Sequence, residues 1–300
     1  MIQLSDHELL NEIKRRLDEK EKSLRELTIL SEKLMDVNKK LSDSEALKTH
    51  FLANIRNEIV NPFSSILGLS KHLANCKTYD RDKIMTMASL IHSEAFDLNF
   101  QFKNIFAAAE IEAGEVMLEF AKVNVVSILD ETVKAFNLVA KSKKIEIIID
   151  NRLDPLNNAW YFITDPIKFE MILSNVLKNA IEFSFENGEV YIIVEFDDKN
   201  DLIVVSFKDQ GIGIPPEEHQ RIFDRFYKRD LKIHSANKGH GLGLSIVSFY
   251  VEMMGGTIRL ESEPGKGSVF IVSIPQGNLS AVSGLSEFSN EMLFDQSEKF

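Results

Sequence analysis

Cysteine is almost missing from this chain of 300 residues, which contains only Cys76. One thiol cannot form an intramolecular disulfide or a metal site built on several thiolates, so nothing indicates an oxidising compartment. Apolar runs of about 20 residues, the length that a membrane span requires, are also missing. The N-terminus lacks the apolar core of a signal peptide. We therefore expect a cytoplasmic protein, or the cytosolic part of a larger receptor.

Basic residues are outnumbered by acidic ones. Lys and Arg number 35 against 46 Asp and Glu, which gives a formal net charge of −11. Nonspecific binding of nucleic acid requires a basic surface that displaces counterions, so the composition argues against nucleic acid as a partner. Glycine and proline are scarce, at 14 and 7 residues, which excludes collagen-like and low-complexity chains. A chain of this length is expected to form about two domains.

The first 45 residues carry a heptad-like apolar pattern with charged residues between its members. The apolar positions, spaced mostly by three, four or seven residues, are Leu10, Ile13, Leu17, Leu24, Leu27, Leu30, Leu34, Val37 and Leu41. Such spacing is typical of a coiled-coil seam. The steps of three from Leu24 to Leu30 form a stammer, which overwinds a supercoil locally. Residues 1–45 are therefore predicted to be a coiled-coil stalk that dimerises the chain or transmits a signal by helix rotation.

Two amphipathic helices are predicted after the stalk. The first runs from about 47 to 73, with a kink expected at Pro62, and the second runs from about 82 to 113. The residues between them are predicted to form a turn. Such a pair cannot bury its apolar stripes alone. We therefore expect residues 46–115 to form an antiparallel helical hairpin, and two hairpins to form a four-helix bundle in a homodimer.

Beyond Gly114 the apolar pattern becomes that of strands alternating with helices. The predicted strands are 145–150, 190–196, 202–209, 257–262 and 268–275. The predicted helices are about 125–142, 166–185, 216–227 and 242–255. The predicted fold class is thus α+β, with an α/β sandwich over residues 116–276. The Ser-rich, acidic residues 277–300 are predicted to be a disordered tail or a segment that docks on a partner.

Two glycine-rich motifs and an asparagine pair indicate a nucleotide site. The first motif follows a strand and the second opens a helix; their predicted site residues are Asp209, Gly211 and Gly213, then Gly239, Gly241, Leu242 and Gly243. Glycine-rich turns at a helix N-terminus offer backbone N–H donors and a positive dipole end to phosphate. Asn175 and Asn179 lie four residues apart on one helix face and can present two amide oxygens to Mg²⁺ or nucleotide.

With these motifs, about residues 42–275 resemble the sensor histidine kinases of two-component systems. The N box of that family resembles 165–184, its glycine boxes 209–213 and 239–243, and its F box 223–226, which contains Phe223 and Phe226. The hairpin likewise resembles the phosphoacceptor domain of the family.

The resemblance implies ATP and Mg²⁺ as cofactors. It also implies that Asp209 accepts a hydrogen bond from the adenine amino group, that Asn179 ligates the metal, and that residues 228–238 form a mobile lid over the phosphates. The implied partner is the receiver domain of a response regulator or a partner histidine kinase.

The acceptor position departs from the family pattern. In the family the first hairpin helix reads F-L-A-N-x-S-H-E-x-x-x-P, and the histidine accepts the phosphoryl group. Here the segment reads FLANIRNEIVNP, so Arg56 and Asn57 replace the serine and the histidine. The lone pair of an amide nitrogen is delocalised into the carbonyl group, which makes Asn57 a poor nucleophile. Autophosphorylation at this position is expected to fail.

Other histidines are weak alternatives for the acceptor. His50 lies seven residues before Asn57 on the same face but about 10.5 Å away along the helix axis. His72 lies about 22 Å away by the same geometry, and His92 is the third alternative.

A second departure lies in the N box. Three residues after Asn179, where the family usually has a lysine or arginine, the chain has Glu182. At about 5 Å and an effective dielectric of about 20, its carboxylate would repel a phosphate charge by about 3 kcal/mol. The side chain can instead face solvent or share the metal, in which case the effect is small.

The leading hypothesis is a dimeric, nucleotide-binding homologue of histidine kinases that regulates or dephosphorylates a partner. Glu58 and Asn61 keep the E-x-x-N spacing that supports dephosphorylation of response regulators in the resembling family. One alternative is an active kinase whose acceptor histidine lies on a partner or has been replaced in this sequence. Another is a non-enzymatic scaffold. An ATP-hydrolysing machine of the gyrase and chaperone superfamily would place a catalytic glutamate where Asn175 stands, so steady hydrolysis is not expected.

Overall fold

The computed structural model describes residues 59–75, 80–153, 160–227 and 241–278, together with scattered positions between 15 and 42. The chain divides into two compact units, Met1–Asn54 and Ile55–Phe300. In the first unit, the described residues are helical. Apolar positions of the predicted seam, such as Leu30 and Leu34, are exposed there. A coiled coil would bury that seam against a second helix, so the stalk stays a prediction.

The second unit contains all the strands that the structure describes. Its helices are α1 (59–74), α2 (Arg81–Ala113), α3 (Val125–Ser142), α4 (Pro166–Phe183) and α5 (Gly243–Met253). Its strands are β1 (Ala121–Asn124), β2 (Glu146–Asn151), β3 (Tyr161–Thr164), β4 (Glu189–Asp197), β5 (Leu202–Asp209), β6 (Thr257–Glu263) and β7 (Gly267–Pro275).

Five of the strands form one mixed sheet in the order β2-β4-β5-β7-β6. Strands β2 and β4 are parallel, and the other neighbours are antiparallel. Burial alternates along β4 and β5, as expected for a sheet with one face against the core. Strands β1 and β3 form a separate antiparallel pair. The prediction of an α+β fold, with helices followed by a layered domain of helices and strands, is confirmed, and the sheet of that domain is mixed.

Helix α4 packs against α3, α5 and strand β5. Its buried residues include Phe169, Ile172, Leu173, Val176, Leu177, Ala180 and Ile181. Asp165 is its N-cap and is 1% exposed. One carboxylate oxygen, Oδ1, accepts from the backbone N–H groups of Ile167 and Lys168, both at 3.0 Å. The other, Oδ2, accepts from the N–H of Glu119 at 2.8 Å. This carboxylate therefore both starts α4 and fastens the segment before β1 to it.

The predicted helix over residues 216–227 is wrong. The stretch forms two 3₁₀ helices, Pro216–Glu218 and Arg221–Phe223, and the backbone is extended at Asp224. Phe226 has a positive φ of 64°, and its N–H donates to the carbonyl oxygen of Gly241 at 2.9 Å. A tertiary hydrogen bond to the second glycine box thus ends the helical path.

The structure differs from the sequence prediction at two other places. Strands β1 and β3, of four residues each, were not predicted. Helix α4 ends at Phe183 rather than near residue 185, because Ser184 is extended and forms a β-bridge with Gly211.

Several residues proposed for the hairpin lie outside the described residues, namely His50, Arg56, Asn57 and Glu58. Asn61, His72 and His92 are exposed on helices, and Pro62 lies within α1. In the part of the chain that the structure describes, no helix combines the length and apolarity needed to cross a membrane. The predicted tail begins with an ordered contact, in which the N–H of Gly277 donates to the carbonyl oxygen of Ile163 at 2.8 Å.

Asp165→Ala should lower the free energy of unfolding by about 3 kcal/mol, because it removes a helix cap and leaves the N–H of Glu119 without its acceptor. Asp165→Asn keeps an oxygen for the cap and loses only the bond from Glu119, so its effect should be smaller. Urea denaturation of both variants measures the difference. Equal losses for the two variants would contradict the separate roles of the two oxygens.

Candidate functional site

A cavity of about 210 Å³ lies where α2, α4, the end of β5 and the start of α5 meet. Its wall brings together eight of the residues predicted from the sequence: Asn175, Asn179, Glu182, Asp209, Gly213, Gly241, Leu242 and Gly243. Gly211, Phe223 and Phe226 are described but are not on this wall, and neither is Asn61. Asn57, Glu58 and Gly239 lie outside the described residues. Residues far apart in the sequence therefore converge on one concave site.

Asp209 is the most buried acidic residue of the cavity wall, with 4% of its surface exposed. Its Oδ1 accepts a hydrogen bond from the backbone N–H of Ser268 at 3.1 Å. Burial raises the pKa of Asp209 to about 6, and hydrogen bonds from Ser268 and the backbone of Gly211 oppose this rise. The carboxylate is thus held in place but poorly solvated, so it can accept a hydrogen bond from a ligand.

The loop after β5 fits closely around its neighbours. At Gly211 a Cβ atom would lie 2.2 Å from the carbonyl oxygen of Phe183. At Gly213, where φ is 63°, a Cβ atom would lie 1.9 Å from the carbonyl oxygen of Glu263. Only glycine fits both positions, and the left-handed backbone at Gly213 adds to this requirement. These glycines shape the loop, and Gly213 also lies on the cavity wall. Their role in binding the cofactor stays a prediction.

The first turn of α5 faces the cavity. Leu242 is the N-cap residue of α5 and makes no side-chain capping hydrogen bond, and Gly243 and Leu244 lie on the cavity wall. The first N–H groups of a helix lack partners within the helix and carry the positive end of its dipole. This turn can therefore donate hydrogen bonds to an anion bound in the cavity.

Asn175 is bonded across the interface to helix α2. Its Oδ1 accepts from Nδ2 of Asn104 at 2.9 Å, and its Nδ2 donates to Oδ1 of Asn104 at 3.0 Å. The same Nδ2 donates to the carbonyl oxygen of Met171 at 2.9 Å. Both asparagines are buried. In this arrangement the amide of Asn175 is occupied by the protein, whereas Asn179, one turn further on, lies half-buried on the cavity wall.

Glu182 lies on the cavity wall close to Lys143, a residue that no sequence motif indicated. Lys143, the C-cap residue of α3, donates through Nζ to the carbonyl oxygens of Ile181 and Glu182. Burial lowers the pKa of Lys143, and the charges of Glu182 and Glu186 oppose this effect. The positive charge of Lys143 reduces the repulsion that Glu182 would exert on an anionic ligand.

Helix α2, which the sequence predicts as a part of the hairpin alone, also forms part of the cavity. Phe100, Gln101 and Asn104 lie on the wall, and the Asp97 carboxylate pairs with Nζ of Lys178 at 2.7 Å. The polar residues 97, 101 and 104 are spaced i, i+4 and i+7, so they share one face of α2. This polar stripe on a helix with an apolar stripe elsewhere was the available signal for a second interface.

Comparison with known proteins places these features in a class. Residues 164–278 match the family model of histidine kinase-, DNA gyrase B-, and HSP90-like ATPases. The fold and the cavity therefore define an ATP-binding domain of this class.

The relatives extend the similarity to most of the chain. The signal transduction histidine-protein kinase BarA of Escherichia coli K12 is 30% identical over 253 residues, which are 83% of this chain and 27% of BarA. The circadian input-output histidine kinase CikA of Synechococcus elongatus is 30% identical over 252 residues, 83% of this chain and 33% of CikA. Full-length ShkA in complex with AMPPNP is 26% identical with a TM-score of 0.52, over 76% of this chain and 46% of ShkA.

The chain belongs to the sensor histidine kinase family. It spans about a third or less of the length of the curated relatives BarA and CikA.

Asp209→Asn should raise the free energy of unfolding by about 2 kcal/mol at about pH 7.5, because the folded state must hold a buried charge there. The pKa of Asp209 is raised in the fold to about 6, so its proton stabilises the fold at low pH and this stability is lost as the pH rises through 6. The gain of the variant should vanish near pH 4. Thermal denaturation at both pH values measures it, and a variant that is less stable at both would contradict the burial cost.

Proposed function

We propose that the cavity binds Mg-ATP and that the protein acts as a regulator or phosphatase of a response regulator or partner kinase, without autophosphorylation at the His box. The observation that carries nucleotide binding is the buried carboxylate of Asp209 beside the glycine loop and the open first turn of α5. An acceptor for an amino group and a donor set for phosphates thus stand in one cavity.

The proposed orientation follows from the chemistry of the wall. The adenine amino group would donate to Asp209, and the phosphates would lie toward the first turn of α5. Asn179 would ligate Mg²⁺ through its amide oxygen. The metal, when bound, neutralises phosphate charge. The oxygen of Asn179 is a suitable hard ligand on the cavity wall, and ShkA, a homologue, was solved with the ATP analogue AMPPNP.

The lack of autokinase activity is proposed from Asn57. Phosphoryl transfer requires a nucleophile with an available lone pair, which an amide nitrogen does not provide. His72 and His92 are exposed and could be phosphorylated only by a different geometry. A nucleotide site combined with a poor nucleophile at the acceptor position favours a regulatory role.

The phosphatase role is proposed from Glu58 and Asn61. Asn61 is exposed on α1, so its amide can orient a water molecule toward a phosphoaspartate on a docked receiver domain. A cytoplasmic location accompanies this proposal, because ATP and receiver domains are found there.

Homodimerisation is proposed from the apolar residues that the hairpin leaves exposed. They include Phe63 and Leu67 on α1, and Met85, Leu90 and Phe106 on α2, which are 47 to 65% exposed. Exposed apolar residues on two neighbouring helices are typical of a surface that packs against a partner. A four-helix bundle would bury them.

Calorimetric titration with Mg²⁺ and ATP should give a dissociation constant in the micromolar range, about −8 kcal/mol. Asp209→Asn should weaken binding at least about tenfold, because it replaces the charged acceptor for the adenine amino group by a neutral amide, whose NH₂ group would repel that donor in one of its two orientations. Asp198→Asn, at an exposed aspartate that is not on the wall, is the matched control. Binding should also weaken below pH 6, where Asp209 becomes protonated. If millimolar nucleotide gives no heat, the non-enzymatic scaffold becomes the better explanation.

Incubation with ATP labelled at the γ-phosphate should leave the protein without acid-labile phosphate, whereas Asn57→His should become labelled. An imidazole at this position supplies the missing nucleophile, and Asn57→Ala is the control that supplies none. Acid-labile labelling of the unmodified chain would overturn the proposal. Transfer of phosphate to a histidine of a partner kinase would support the alternative of an active kinase in a heterodimer.

A further inference from the structure

We propose that Lys178 is the phosphate-binding cation of the cavity, and that Asp97 of α2 competes with the ligand for it. This inference rests on the proposed function, because it assumes that the cavity holds a phosphorylated nucleotide. The same lysine thereby serves both phosphate binding and the docking of α2. When Lys178 is paired with Asp97, the described wall of the cavity has no other cation to offer. When the phosphates bind Lys178, helix α2 loses a contact.

The charges on the cavity wall give the first reason. Of the wall residues that the structure describes, Lys178 is the only cation, whereas Glu182, Asp209 and Glu218 are acidic. An anionic ligand in such a site needs a positive partner, and charge-assisted hydrogen bonds to phosphate are the strong ones. Lys178 therefore supplies the positive charge for a phosphate group, which the acidic residue at position 182 cannot supply.

The partners of α4 give the second reason. Two α4 groups on the cavity wall are bonded to α2: the amide of Asn175 to Asn104, and the ammonium of Lys178 to Asp97. A third α4 group, the carboxylate of Glu170, is bonded to Lys103 away from this wall. The ammonium also lies 4.7 Å from the ring centroid of Phe100. The side chains of Lys178 and Asp97 are only 13% and 20% exposed. The pair is thus partly desolvated, so releasing either member without a new partner is unfavourable. A phosphate group can serve as that new partner.

The contact between α2 and α4 leaves one buried polar atom of Gln101 unsatisfied by the described residues. This residue is 5% exposed and lies on the cavity wall, and its Oε1 accepts no hydrogen bond from the residues that the structure describes. A buried acceptor without a donor destabilises the contact between α2 and α4. If α2 moves away, this oxygen becomes hydrated. The resulting gain in free energy offsets part of the cost of separating Asp97 from Lys178.

Nucleotide binding and docking of α2 are therefore coupled negatively. A ligand that needs Lys178 binds only the fraction of molecules in which the pair is open, and its apparent affinity falls by that fraction. The same coupling requires that the ligand loosen α2. Binding of the nucleotide in the cavity thereby weakens the contact between α4 and α2, the second helix of the predicted hairpin.

The test is calorimetry on full-length variants with Mg-ATP and with adenosine. Asp97→Asn should bind ATP about tenfold more tightly, because Lys178 is no longer held by a charge. Lys178→Met should bind ATP about tenfold or more weakly. In the Lys178→Met background, Asp97→Asn should produce no gain. Adenosine, which has no phosphate, should bind all variants alike.

Glu170→Gln is the matched control. Glu170 pairs with Lys103 at 3.3 Å between the same two helices, and neither residue lies on the wall of this cavity. Its loss weakens the interface without releasing a group of the cavity, so ATP affinity should stay unchanged. The segment 228–240, which lies outside the described residues, contains further Lys and Arg residues. All variants leave them in place, so any change reports on Lys178 itself.

The outcomes separate this inference from the proposed function. Tighter ATP binding by Asp97→Asn that depends on Lys178 and is absent for adenosine supports the competition. Unchanged ATP affinity in Asp97→Asn and Lys178→Met, with normal binding by the unmodified chain, overturns the role of Lys178 and leaves the nucleotide site standing. If no variant binds ATP or adenosine, both proposals fall. An equal gain in Glu170→Gln would show that loosening of the helices, and not release of Lys178, is responsible.

Discussion

Burial of helix α4 is the constraint on which the rest of the structure depends. The helix packs against α3, α5 and β5, so its polar side chains cannot all reach water. Buried polar groups must find hydrogen-bond partners, or the fold loses stability. Asp165 meets this requirement at the start of the helix, and Asn175 and Lys178 meet it through α2. A polar group of α4 that borders the cavity and is not bonded within the protein can bind a ligand.

This constraint explains why the site and the interface coincide. The face of α4 that carries Asn175, Asn179 and Glu182 borders the cavity, and α2 covers part of the same face. A polar face next to a cavity has two sources of partners, a neighbouring helix and a bound molecule. Whichever supplies the better hydrogen bonds and charges occupies it, so ligand affinity and helix docking are not independent quantities.

The sequence predicts this protein well where a pattern is long or where chemistry is local. The period of the apolar residues predicts α3, α4 and the five strands of the main sheet, and the glycine motifs identify the residues that converge on the cavity. It fails where tertiary contacts decide. The backbone at Phe226 follows a hydrogen bond to Gly241 rather than helix propensity. Likewise, the partners of Asn175 and Lys178 lie 71 and 81 residues away in the sequence, and no local pattern encodes them.

The proposed loss of the acceptor at Asn57 is compatible with a cavity that binds nucleotide, because the two depend on different residues. Phosphoryl transfer needs a nucleophile at one point of the hairpin, whereas a coupling between cavity and helix needs only that the ligand and α2 compete for the same groups. The Asp97–Lys178 and Asn104–Asn175 pairs supply such groups. A chain that binds nucleotide but cannot accept phosphate would therefore still convert nucleotide occupancy into a change in its hairpin. That change, rather than a phosphoryl group, would be the signal a bound partner receives.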